Sequence, residues 1–131
     1  MPKITAEMKT LVNNHQAFIA TATPDGIPSV APKGSTRALD DEHIIFAESA
    51  GKRTYANIKL NPKVAIIVSD IEHMKCLRFS GTAELLTRGP LYDKSVEEMK
   101  KKNLPAPQAV VKVHVDEIYD CGSPCFGKRI D

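Results

Sequence analysis

From Lys75 to Leu86 the chain reads KCLRFSGTAELL, an alternation of two kinds of residue that holds without a slip. Leu77, Phe79, Ala83 and Leu85 fall on one side, and Cys76, Arg78, Ser80, Thr82 and Glu84 on the other. Period two with one apolar face is the signature of a half-buried strand. Gly81 interrupts the row of side chains midway and predicts a bend of the kind small barrels use at corners. Such a strand needs partners along both edges, so most of the chain must be sheet.

Five further segments read as strands. AFIATAT (17–23) is β-branched and small, and Pro24-Asp25-Gly26 after it is turn chemistry. Residues 28–38 read as one second strand, with Val30, Pro32, Gly34, Thr36 and Ala38 on one face and Ser29, Lys33, Ser35 and Arg37 on the other. Pro32 and Gly34 place it at an edge, at a bulge, or where something approaches the backbone closely. HIIFA (43–47) is the third strand. VAIIVSD (64–70) is the most apolar run and reads as a strand buried on both faces. AVVKVHV (109–115) is the last.

Three short helices complete the reading. Thr5 caps one that ends near Asn14, Ser49-Ala50-Gly51 opens one from Lys52 to Leu60 that Asn61-Pro62 stops, and Gly89-Pro90 starts one to about Asn103. Six strands and three helices in 131 residues form one domain, residues 1–131. The expected fold is mainly β, a six-stranded antiparallel barrel flanked by short helices.

The net charge of +2 implies no general nucleic-acid or membrane field. No apolar run is long enough to span a bilayer, and MPKITAEMK lacks the apolar core of a secretory signal, so a cytoplasmic protein is expected. Three cysteines, an odd number, do not make a disulfide framework.

The helix start is the leading candidate for chemistry. Ser49, Lys52, Arg53 and Thr54 gather hydroxyls and cations where a helix presents free N–H groups, which suits a phosphate. Cations oppose the helix dipole at that end, and a bound anion would remove the conflict. The alternative is a capped helix with solvated basic residues. Lys33, Ser35 and Arg37, with backbone access at Gly34, could line a planar polar ligand or form an ordinary solvent face. Cys121 and Cys125 could be a redox pair, half a metal site or unreactive thiols; their spacing is not that of thioredoxin-like motifs. The four histidines share no metal-binding spacing and read as structural or surface residues, so no metal site is expected. Lys100–Lys102 shares its helix with Glu97 and Glu98 and reads as a solvated face.

AFIATATPDGIPSVAP, then DDEHIIFAESAGKRTYANIKLNPKVAIIV, then LRFSGTAELL, in this order, resemble the FMN-binding split-barrel superfamily related to pyridoxamine 5′-phosphate oxidase. The resemblance covers roughly residues 15–86. It implies a split barrel, a homodimer with FMN at the subunit interface, and oxidoreductase chemistry with a small-molecule or protein redox partner. It places the FMN phosphate at Lys52, Arg53 and Thr54, and the ribityl chain or phosphate at Ala47, Glu48 and Ser49. The isoalloxazine ring falls against Lys33, Gly34, Ser35, Thr36 and Arg37. The partner's tail, from Tyr119 to Phe126, is a candidate contributor to each site. Relatives of this barrel also take a deazaflavin or haem, which leaves a deazaflavin-dependent reductase and a non-enzymatic flavin or haem carrier as alternatives. The oxidase's own substrate pair, Arg-x-His near the C-terminus, has no counterpart in VKVHVDEIYD. No catalytic residue is assigned.

Overall fold

The structure is a computed structural model that describes residues 2–49 and 52–131. The elements run α1 (Ala6–Asn14), β1 (Ala17–Ala22), β2 (Pro28–Pro32), β3 (Arg37–Ala38), β4 (His43–Glu48), α2 (Lys52–Leu60), β5 (Lys63–Asp70), β6 (Lys75–Leu86), α3 (Pro90–Lys101), β7 (Ala109–Asp120) and β8 (Lys128–Arg129). Every pairing is antiparallel, in the order β2-β1-β5-β6-β7-β4-β3, with β8 added to β7. The sheet curls into a half-barrel around one core that includes Ile19, Phe46, Ile66, Phe79, Val113 and Ile118. Thr5 caps α1, accepting from Met8 N at 3.3 Å, and the helix adds Leu11 and Val12 to that core. No described helix is long and apolar enough to cross a membrane.

Four expectations need correction. The described residues form eight strands, not six. The segment 28–38 is not one strand: β2 ends at Pro32, a turn intervenes, and β3 starts at Arg37. Thr36 N and Oγ1 both donate to Lys33 O, at 3.1 and 2.7 Å, and that turn carries the chain from one margin of the sheet to the other. Alternation cannot reveal such a break, because the residue types on either side still fit period two. The last strand continues five residues further, to Asp120. VAIIVSD is not buried on both faces within one chain: Val64, Ile66 and Val68 face the core, while Ile67 is 38% exposed.

The bend expected at Gly81 is present. Ser80 faces Glu117 and Gly81 faces Val115, so Asp116 is the extra residue of a bulge. A Cβ at Gly81 would stand 2.4 Å from the carbonyl oxygen of His114, which is why no side chain fits there.

Candidate functional site

The site is built where β4 ends. Glu48, its last residue, is fully buried, and a lone carboxylate there would be costly. Lys33 comes from the turn after β2, and its Nζ lies 3.0 Å from Oε1 and 2.9 Å from Oε2 of Glu48. Oε2 has this ion contact but no hydrogen bond of good geometry. Ser35 ties the same turn to β4, since its Oγ accepts from Ala47 N at 2.8 Å. Gly34, between them, is exposed, and nothing lies within 4 Å of where its Cβ would be.

Four residues after Glu48, α2 begins. Lys52 and Arg53 are exposed, and the first turn holds no acidic residue. Two cations therefore stand at the positive end of the helix without a carboxylate in that turn to offset them. Thr54, Asn57 and Ile58 form the opposite, buried face. Asn57 Nδ2 donates to Thr21 Oγ1 at 3.0 Å, which fixes α2 against β1. The expected opening of the helix at Ala50-Gly51 lies outside the described residues.

Thus Lys33, Gly34, Ser35, Thr36, Ala47 and Glu48 come together as one cluster, with Ser49, Lys52 and Arg53 following along the chain. Two of the expected site residues have their side chains otherwise committed, although Arg37 lines the same cavity as Gly34, Ser35 and Ala47. Arg37 makes a bidentate pair with Glu98 of α3, at 2.8 and 3.0 Å, and Thr54 is turned inward. The Lys52–Arg53 pair suits an anion, and the open backbone at Gly34 admits a close approach by another group. Lys33 and Glu48 offset each other's charge and act on the shape of the site, not on its net charge.

A second cluster escaped the sequence reading. The β4–β7 register sets His43 opposite His114, with ring centroids 5.2 Å apart. His43 Nδ1 lies 2.9 Å from Asp40, and His114 Nδ1 lies 3.0 Å from Asp116. Thr82 donates to Asp116 at 2.8 Å. Burial works against the charge on Asp116, but hydrogen bonds from Thr82 and His114 outweigh it and hold the carboxyl below the usual range. Seventy-one residues separate the two histidines in sequence (114 − 43), so no local spacing could signal them. Among the described residues, no group of three or more His, Cys, Asp or Glu side chains is placed to hold a metal ion.

Comparison with known proteins agrees with this architecture. An uncharacterized protein of Methanocaldococcus jannaschii is 37% identical over 133 residues, covering 98% of this chain and 88% of that protein. The crystal structure of HupZ from Group A Streptococcus is 36% identical, covers 98% of this chain and 99% of its own, and superposes with a TM-score of 0.88. An FMN-binding protein from Syntrophomonas wolfei (20% identity, 86% and 82% of the two chains, TM-score 0.74) shares the fold. So does HutZ, the heme storage protein of Vibrio cholerae (18%, 90% and 94%, TM-score 0.67). The family model described as pyridoxamine 5′-phosphate oxidase matches residues 4–122. With that match across the half-barrel and all three helices, the chain belongs to the pyridoxamine 5′-phosphate oxidase family of FMN-binding split-barrel proteins.

Proposed function

We propose that this chain is an FMN-binding flavoprotein of oxidoreductase type that works as a cytoplasmic homodimer. The observation that carries the reading is the exposed Lys52–Arg53 pair in an acid-free first helical turn, four residues along the chain from the buried end of β4. In this reading Lys52, Arg53 and Ser49 hold the phosphate, with the N-terminal end of the Thr54 turn. Ala47 and Glu48 border the ribityl chain, and the 33–37 segment borders the ring. Bound FMN would supply electron or hydride transfer. The protein's part is to bind and orient it. The Lys33–Glu48 and Ser35–Ala47 contacts hold the ring-side turn in place, and Arg37–Glu98 anchors its far end to α3.

A second copy completes the site in this proposal. Phe18 and Ile67 are directly opposed on β1 and β5, and Val30 faces Ala20 from β2. All three large side chains are exposed in the single chain, as an apolar face awaiting a partner would be. Oxidation of pyridoxamine 5′-phosphate itself is not part of the proposal, because the last strand lacks the Arg-x-His pair.

The test is a visible spectrum of the purified protein and a titration with FMN. Micromolar or tighter binding is expected, and Arg53→Ala should weaken it roughly 10- to 100-fold, the scale of one charge-assisted contact. No binding at micromolar concentration would overturn the proposal. An unchanged affinity in Arg53→Ala would remove that residue from the site.

One observation favours a second reading, a haem carrier without an enzymatic step. His43 and His114 each have Nδ1 against an aspartate, the arrangement that orients an imidazole to ligate through its other nitrogen; at His114 that nitrogen lies 3.8 Å from Glu42, which a ligand there would displace. Hemin should then give a Soret shift that His114→Ala abolishes. An identical shift in that variant would reject the assignment.

A further inference from the structure

The tail cysteines are not arranged as their spacing suggests. In the β6–β7 ladder Leu77 faces Asp120, and one step further the same register sets Cys76 against Cys121. The Cys121 N–H donates to the carbonyl of Cys76 at 2.8 Å, so the alignment persists past the end of β7. Residues directly opposite each other in an antiparallel pair project to the same face of the sheet. Directly opposed residues of antiparallel strands hold their Cα atoms about 4.5–5.5 Å apart. Disulfides span Cα separations of roughly 4.4–6.8 Å, so the two cysteines stand within bridging range and a small approach of the Cβ atoms closes the bond.

The surroundings keep this juxtaposition in place. Gly122 lies so close to the β5–β6 turn that a Cβ there would be 2.6 Å from Met74 O. Beyond it, Gly127 N donates to Asp120 O at 2.7 Å, and β8 pairs with Tyr119 and Asp120. Cys125 stands apart on the exposed outer side of this loop. Burial, and then the neighbouring Cys121 sulfur, push the Cys76 thiol up. All three cysteines are free thiols in the structure.

We propose that Cys76 and Cys121 are a redox-active dithiol that closes to a cross-strand disulfide and fastens the tail across the start of β6. The oxidant is a low-molecular-weight disulfide. One cysteine thiolate attacks it, forming a mixed disulfide and releasing one small thiolate. The other cysteine thiolate then attacks the protein-bound sulfur, forms the Cys76–Cys121 bond and expels the second small thiolate. Two protein thiols lose two electrons and two protons, and the small disulfide becomes two thiols. In a reducing milieu the pair stays open, so the bond reports an oxidising shift. The bond would lie on the wall of the cleft between α1, the β5–β6 turn and the tail, whose lining includes Met8, His15, Asp70, Cys76 and Asp120.

Peptide mapping tests this. The full chain is incubated with oxidised glutathione, free thiols are alkylated, and the protein is digested with trypsin without reduction. The expected product joins residues 76–78 to residues 113–128, two hydrogens lighter than the separate peptides, with Cys125 alkylated. Cys125→Ser should retain the linkage and Cys121→Ser should lose it. In Cys125→Ser, oxidation should raise the thermal midpoint by about 5 °C or more, and dithiothreitol should reverse the rise. A Cys121–Cys125 bond, a Cys76 linkage that survives Cys121→Ser, links only between molecules, or three alkylated thiols would each overturn the proposal.

Discussion

Removing the ammonium of Lys33 while keeping its stem, as Lys33→Met does, should destabilise the protein by stranding a buried carboxylate. Glu48 has no exposed surface, and Lys33 is its ion partner at 2.9–3.0 Å. At that distance and an effective dielectric of ~20, the lost attraction is about 5 kcal/mol. Leaving one member of a buried ion pair uncompensated typically costs about 3–5 kcal/mol, so a loss of that order is expected at pH 7. Urea unfolding followed by circular dichroism measures it. Lys33→Met/Glu48→Leu, which leaves no charge behind, should recover to within about 1 kcal/mol of the parent at pH 7. A Lys33→Met penalty below about 1 kcal/mol at pH 7, or a double variant no more stable than Lys33→Met, would refute the reasoning.

Two further outcomes follow from the sheet and its tail. Gly81→Ala should cost about 2–3 kcal/mol in the same urea assay, because the obstructing atom is a backbone carbonyl that cannot swing aside; a loss below 0.5 kcal/mol, the order of an ordinary surface change, would contradict this. The hydrogen bond from Arg129 holds the Asp131 carboxyl at about 2, so the tie is complete above the ordinary carboxylate range of ~3.9 and is lost as pH falls through about 2. NMR titration should show Arg129→Gln moving the Asp131 midpoint up toward ~3.9, and an unmoved midpoint would assign the shift to another cause.

Much of this architecture is legible in the sequence because its causes are local. Thr5, Asn61-Pro62 and Gly89-Pro90 bound the three helices through capping and backbone chemistry that neighbouring residues decide. The side-chain alternation of β6 survives intact, and Gly81 marks its bend. The turn at 33–36 was hidden because Lys33, Ser35 and Arg37 fit period two whether or not the strand continues. Lys33 then meets Glu48, Arg37 meets Glu98, His43 meets His114 and Cys76 meets Cys121 through strand register and helix docking. Those partners are set by the assembled sheet, and no residue spacing encodes them. The exposed face of Ile67 reads as core for a related reason: composition reports that an apolar surface is unwelcome in water, not which molecule covers it.

The turn that joins β2 to β3 bears on how this sheet avoids polymerising. The two strands are the opposite ends of the main hydrogen-bonded order, so a single short segment joins both of those ends. Pro28 and Pro32 have no N–H to offer along one margin, and the other is only two residues long. Both features work against templating of an incoming strand at these two ends. In the proposed dimer, contact through faces is finite and closes on itself.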